Sequence, residues 1–334
     1  CSCFKVFFVV RKGSLMQSGS LGAEIVRRAV EAIPVLFFAS LIIFSMLRLI
    51  PGDAAVMIGG EDATAEDLQI IRAQLGIDKP LPIQYLSWLG NLFTGDFGTS
   101  FITSRSVGSL IAAKLPATLE LATAAYLLAL FVGIPFGIIA GLKPRSPWDY
   151  SLSGFTMVGV GIPNFFFGII VLLIFSVKLG WLPAAGRADF FEDPILAIRK
   201  LTLPTIALGF TFAAILARFT RSSIMDVMGE DYIRTARSKG VDERRVVTKH
   251  ALRNGLIPLV TVVGLQVGRL LAGALIIEIV FAWPGIGGLI VSSIRDRDYL
   301  VLQTLLMFLV GGFIIVNLLV DMAYLIIDPR LRSR

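Results

Sequence analysis

Apolar residues in this chain come in long blocks, separated by shorter polar stretches. Six windows, near 29–50, 115–142, 152–177, 201–219, 256–281 and 301–327, are mostly apolar. A bilayer crossing takes about 20 such residues. Pro34, Pro135, Pro163 and Pro258 fall where kinks or first turns would sit. The pattern predicts an all-α polytopic membrane protein with six transmembrane helices. Arg48-Leu49-Ile50-Pro51 is no small-residue cleavage site, so the first window reads as a retained span.

The polar stretch 51–114 is too long for a turn. Within it Thr64 stands as an N-cap with Asp67 three residues on, then Leu68, Ile71 and Leu75 keep helical spacing, and Gly76 fits the C′ position. A small extracytoplasmic subdomain is expected here. The division is then 1–28, an N-terminal tail; 29–50, the first span; 51–114; a transmembrane core 115–327 containing the loop 220–255; and a tail 328–334. Residues 1–15 read as translated upstream sequence, with Met16 as the start.

Composition agrees with the pattern. Apolar residues make up 55% and charged residues 16%, against roughly 25% charged in soluble domains. Mean hydropathy is +0.79. Cys1 and Cys3 sit together at the terminus, with Ser2 between them, so they staple no core. With His250 as the single histidine, multi-His zinc sites are excluded, as are Ser-His-Asp triads built on any other histidine. No phosphate-loop motif occurs, so no ATP site of that kind is expected on this chain.

An even number of spans puts both termini on one side. That face, made of the tails, the 143–151 turn and the 220–255 loop, holds eighteen Lys/Arg against ten on the other. Acidic residues run oppositely, eight against twelve. The positive-inside rule makes both termini cytoplasmic. It also accounts for the pI near 9.6 without nucleic acid.

The 220–255 loop reads as two short helices. Asp231 would cap Tyr232 to Lys239, ended by Gly240, and Asp242 would cap Glu243 to Arg253. Arg245, Lys249 and Arg253 repeat every four residues as a basic stripe, with Val247 and Ala251 as an adjacent apolar edge. Three readings stand: a solvated positive-inside loop, a helix-turn-helix nucleic-acid reader, and a docking element for a cytoplasmic partner. Tethering at both ends and near charge balance count against the second.

Motifs narrow the choice. Gly229-Glu230-Asp231-Tyr232-Ile233-Arg234-Thr235-Ala236-Arg237-Ser238-Lys239-Gly240 resembles the EAA loop of ABC-importer permeases. His250-Ala251-Leu252-Arg253-Asn254-Gly255-Leu256-Ile257-Pro258 is similar to the dipeptide/oligopeptide/nickel group. So are Pro51-Gly52-Asp53, Gly95-Asp96-Phe97-Gly98-Thr99-Ser100, Leu115-Pro116-Ala117-Thr118-Leu119-Glu120, Trp283-Pro284-Gly285-Ile286-Gly287 and Asp328-Pro329-Arg330-Leu331. The name-giving Glu-Ala-Ala is Arg234-Thr235-Ala236 here, so Ala236 and Gly240 carry the general motif. The resemblance implies a type I ABC importer permease fold in the bacterial inner membrane. It implies a second homologous permease, two ABC ATPase subunits carrying ATP and Mg, and an extracytoplasmic solute-binding protein. It makes Asp231, Tyr232, Arg234, Ala236, Gly240, Arg245, Lys249, His250 and Arg253 the ATPase-coupling residues.

Arg269, mid-way along the fifth window, would cost about 2.5–3.5 kcal/mol uncompensated. It either lines the pathway or pairs within the protein, with Glu120, Asp321 or a second subunit. Asp321 reads the same way. Asn164 after Pro163 is glue or pathway lining. Trp283, Pro284 and Gly285 form either an outer gate or an interfacial anchor. A transmembrane permease subunit of a peptide importer leads. The alternative is a self-sufficient secondary transporter or channel, which usually shows repeat halves and coupling acids. An intramembrane enzyme ranks third, since the chain lacks the GxSxG and HExxH motifs and any obvious aspartate pair.

Overall fold

The computed structural model describes residues 21–49, 54–59 and 63–327, and every described element except one isolated two-residue bridge is helical. The apolar windows become α1 (Leu21–Arg48), α5 (Val107–Leu142), α8 (Pro194–Met228), α12 (Ile257–Val280) and α14 (Tyr299–Ile327). All five are long and apolar enough to cross a membrane. Three start well ahead of the apolar windows, at Leu21, Val107 and Pro194. Helical hydrogen bonding continues past the apolar edge wherever caps allow. Ser106 and Asp193 supply such caps through side-chain oxygens that accept from Ser109 and Leu196.

The third window departs from expectation. It is broken into α6 (Pro147–Gly161) and α7 (Asn164–Leu172), the latter continuing as a π-helical turn Leu173–Lys178, and the two parts bend by 104°. Ile162-Pro163 causes the break, because a proline restricts the preceding residue to extended backbone and Ile162 has ψ 127°. The pair still traverses the bundle. Its start is tied to Arg221 of α8 through Asp149, and beyond its end the Trp181 carbonyl accepts from Arg199, 3.0 Å away. Those α8 positions are about 33 Å apart at 1.5 Å per residue, a hydrocarbon thickness. With the pair counted as one span, the described residues hold six candidate crossings.

Contacts fix the order along the bundle. Gly133 and Gly141 of α5 lie against Ala213 and Ile224 of α8, so these helices run parallel. Gly264 and Gly268 of α12 meet Val320 and Phe313 of α14, so those run antiparallel. Leu47 near the end of α1 clusters with Leu302 near the start of α14, so the start of α1, the end of α14 and the loop after α8 share one end, the loop end. The opposite end carries α2 (Ala54–Gly59), α3 (Ala65–Leu75), α4 (Leu81–Thr94) and α13 (Ile286–Arg295). The central core joins Leu121 and Ala125, Leu203, Leu208 and Leu216, and Leu270 and Ile277. Small residues let α5 and α8 approach to backbone distance.

Thr64 caps α3 as expected. It accepts from the Asp67 amide at 3.2 Å while Asp67 accepts from the Thr64 amide at 3.0 Å. The Thr64 hydroxyl also donates to the Asp67 carboxylate at 2.6 Å, and this bond, with that from the Thr64 amide, holds the carboxyl below its usual range. Gly76 closes the helix at φ +64°. Residues 1–20, 50–53, 60–62 and 328–334, including Cys1, Cys3 and Met16, lie outside the described residues.

Candidate functional site

At the loop end, α8 hands over to α9 (Asp231–Ser238). Glu230, rather than Asp231, occupies the N-cap, and Asp231 stands in the first turn, where its charge favours the helix dipole. The helix ends in a full Schellman closure. The Gly240 amide donates to the Arg237 carbonyl at 2.9 Å, the Val241 amide to the Ala236 carbonyl at 3.2 Å, and Val241 packs beside Ala236. Gly240 has φ +73°.

The second helix is less regular than expected. Asp242 caps a short α10 (Glu243–Arg245), as predicted, but Val246–Ala251 is π-helical before α11 (Leu252–Gly255). The wider turn corrects one assignment: Val246, not Val247, is buried with Ala251. A five-residue spacing shares one face in an i→i+5 helix. Ile233, Val246 and Ala251 form a small core at 0% exposure, flanked by Val227, Met228, Ala236 and Val241. Arg245, Lys249 and Arg253 remain exposed as a stripe, and His250 is half-buried.

Polar ties make the pair rigid. Arg237 donates twice to Glu243, at 3.0 and 2.6 Å, and holds that carboxyl below its usual range. The bridge thus stays charged at neutral pH. The Asn254 amide donates to the Tyr232 hydroxyl at 3.1 Å, and Ser223 of α8 donates to the Gly255 carbonyl at 2.6 Å. Asp231 and Arg234 are highly exposed and pair at 3.3 Å.

At the opposite end, the Trp283-Pro284-Gly285-Ile286-Gly287 motif wraps around Glu278. The Glu278 side chain is fully buried and accepts from the Gly287 amide at 2.6 Å. A Cβ at Gly287 would lie 2.8 Å from that carboxylate and 2.5 Å from the Leu275 carbonyl, so only glycine fits. Trp283 is 2% exposed and donates to the Ala117 carbonyl at 2.7 Å. It is therefore packed inside the protein and does not lie at a lipid interface. Gly285 is buried as well, while Pro284 is exposed.

Mid-bundle, Arg269 is exposed on α12. Glu120 is not its partner, because Glu120 accepts from Arg187 at 2.7 Å near the other end of α5. Asp321 sits on α14, and its side chain lies outside the described residues. Asn164 starts α7 against Gly273, one turn from Arg269.

Residues 133–333 match the family described as binding-protein-dependent transport system inner membrane component, and residues 23–122 match its N-terminal counterpart. The chain belongs to this family. The permease is 42% identical over 310 residues to a protein of Brucella abortus (strain 2308) named for a peptide transport system, covering 93% of this chain and 99% of the relative. It is 42% identical over 311 residues to the glutathione transport system permease protein GsiC of Escherichia coli (strain K12), again 93% and 99% covered. Its fold is similar to a chain of the MetNI methionine ABC transporter in inward-facing conformations. That match has a TM-score of 0.54 at 17% identity, covering 66% of this chain and 96% of that one. The protein is a multi-pass inner-membrane permease subunit of an ABC importer, of the dipeptide/oligopeptide/nickel permease family.

Two elements of the permease escaped the sequence reading. One is the pair Asp149–Arg221, which ties α6 to α8. Both residues looked like ordinary loop charges, and nothing in their 72-residue separation joins them. The other is Glu278, whose signal was present: an acid at the end of an apolar window, followed within nine residues by Gly285 and Gly287.

Proposed function

We propose that this permease imports peptides or a related peptidic solute, forming half of the pathway with a second homologous permease. Two ATPase subunits, which hold ATP and Mg, dock on the 229–256 loop, and an extracytoplasmic solute-binding protein delivers the solute at the opposite end. The observation that carries the coupling role is the loop itself. It has its own core, closes on Gly240 and is bolted to α8 through Ser223. A rigid helix pair can pass on rigid-body motion that a mobile loop would absorb. The relatives named for peptides and for glutathione support the solute class.

The charge asymmetry makes the loop end cytoplasmic, with both termini, and makes 51–114 the extracytoplasmic subdomain. Single cysteines replacing Ser87 and Lys239, both exposed, are expected to label from opposite sides. In intact cells an impermeant reagent reaches Ser87→Cys only, and the reverse result would invert the orientation. Function is tested by purifying the complex and measuring ATP-dependent peptide uptake in proteoliposomes. Uptake by this chain alone, driven by an ion gradient, would establish the secondary-transporter reading instead.

A further inference from the structure

Arg269 is the thirteenth of the 24 residues of α12, far from either end. Leu265 and Ile276, on the same stripe, are 60% and 45% exposed, so this stripe turns away from the bundle. Arg269 has no ion-pair or hydrogen-bond partner among the described residues. A guanidinium at this depth does not face lipid; it faces water or an anion.

The neighbouring feature is the break in the third span. Gly161 and Pro163 are exposed there, and Asn164 is half-buried. Unwound backbone at membrane depth occurs only inside protein or against a water-filled cavity. The Asn164 Oδ1 accepts from the Phe165 amide at 3.2 Å, while its Nδ2 has no partner among the described residues. That Nδ2 lies 2.9 Å from where a Gly273 Cβ would stand. Gly273 is four residues, about one turn, from Arg269, or about 6 Å along the axis. The fold thus gathers a free guanidinium, a free amide donor and an unwound turn at one depth. All the donors suit an anion with planar oxygens, and a bidentate Arg–carboxylate pair is the strongest form of that contact.

We infer that Arg269, with Asn164 beside it, holds the C-terminal carboxylate of a peptide in transit. This rests on the peptide-permease reading. The assembled importer, in proteoliposomes with its binding protein saturated, should be given one peptide as the free acid and as the C-terminal amide. The mutant-to-wild-type ratio for each cancels any preference of the binding protein. Arg269→Gln should cut uptake of the free acid about tenfold or more and leave the amide nearly unchanged. Arg269→Lys should recover part of the loss, and Asn164→Ala should show a smaller loss of the same selectivity. Equal loss on both peptides, or none on either, overturns the inference. Failure of both Arg269 variants to assemble assigns the residue to an acid of the second permease, and also overturns it. A wild type that takes up neither peptide overturns the peptide reading and this inference together.

Discussion

Asp149→Asn should leave a permease that unfolds at markedly lower temperature, with little recovered complex. Asp149 is 6% exposed at the start of α6. It accepts from the Arg221 Nη2 at 2.9 Å, from the Arg221 Nε, and from the Arg145 amide at 2.9 Å. Removing one member of a buried pair strands the other, at a cost of about 3–5 kcal/mol. Because the Arg221 side chain is 31% exposed, water recovers part of this, and the lower end of that range applies. For a chain of this size such a loss shifts the melting temperature by roughly 5–10 °C. The double change Asp149→Leu with Arg221→Met removes both charges and should be less damaging than the single change. Thermal unfolding of detergent-purified protein reads both. A single variant melting with the wild type would mean that the pair adds nothing to the fit of α6 on α8.

The sequence makes some elements of this fold plain and hides others, for physical reasons. Apolar windows reveal spans because the bilayer demands a minimum length of apolar helix, whatever the tertiary packing. Caps such as Thr64 with Asp67 are local, so sequence spacing reveals them too. The 104° break at Ile162-Pro163 was foreseen only as a kink. A proline marks where a helix can bend, and the packing of Gly159 on Ala214 and Gly168 on Ala207 sets how far. Long-range partnerships such as Glu120 with Arg187 leave no periodic trace, so Arg269 was offered a partner that was already taken. The π-helical turn at Val246–Ala251 was invisible for the opposite reason. The basic stripe satisfies α-helical spacing, and only burial of Val246 beside Ala251 shows the wider turn.

Gly240→Val should uncouple the permease from its ATPase subunits while leaving the spans inserted. Nothing lies within 4 Å of a Cβ at this position, so bulk is not the difficulty. The difficulty is φ +73°, which a β-branched residue resists. Relaxing that angle opens the bonds from Gly240 to Arg237 and from Val241 to Ala236, then tilts α10 against α9. The Arg237–Glu243 bridge and the Ile233–Val246–Ala251 core depend on the same angle. Arg245, Lys249 and Arg253 would stay exposed but point elsewhere. The effect should be graded by backbone preference alone: Gly240→Asn mild, since asparagine tolerates this region, Gly240→Ala intermediate, and Gly240→Val severe. Pull-down of the ATPase subunits, with ligand-stimulated ATP hydrolysis in liposomes, supplies the measurement. The valine variant should reach the membrane in normal amount and lose most of the stimulated hydrolysis. If it binds the ATPase subunits and responds to loaded binding protein as the wild type does, the loop is only a charged connector. The coupling role would then have to move to another surface of the loop end.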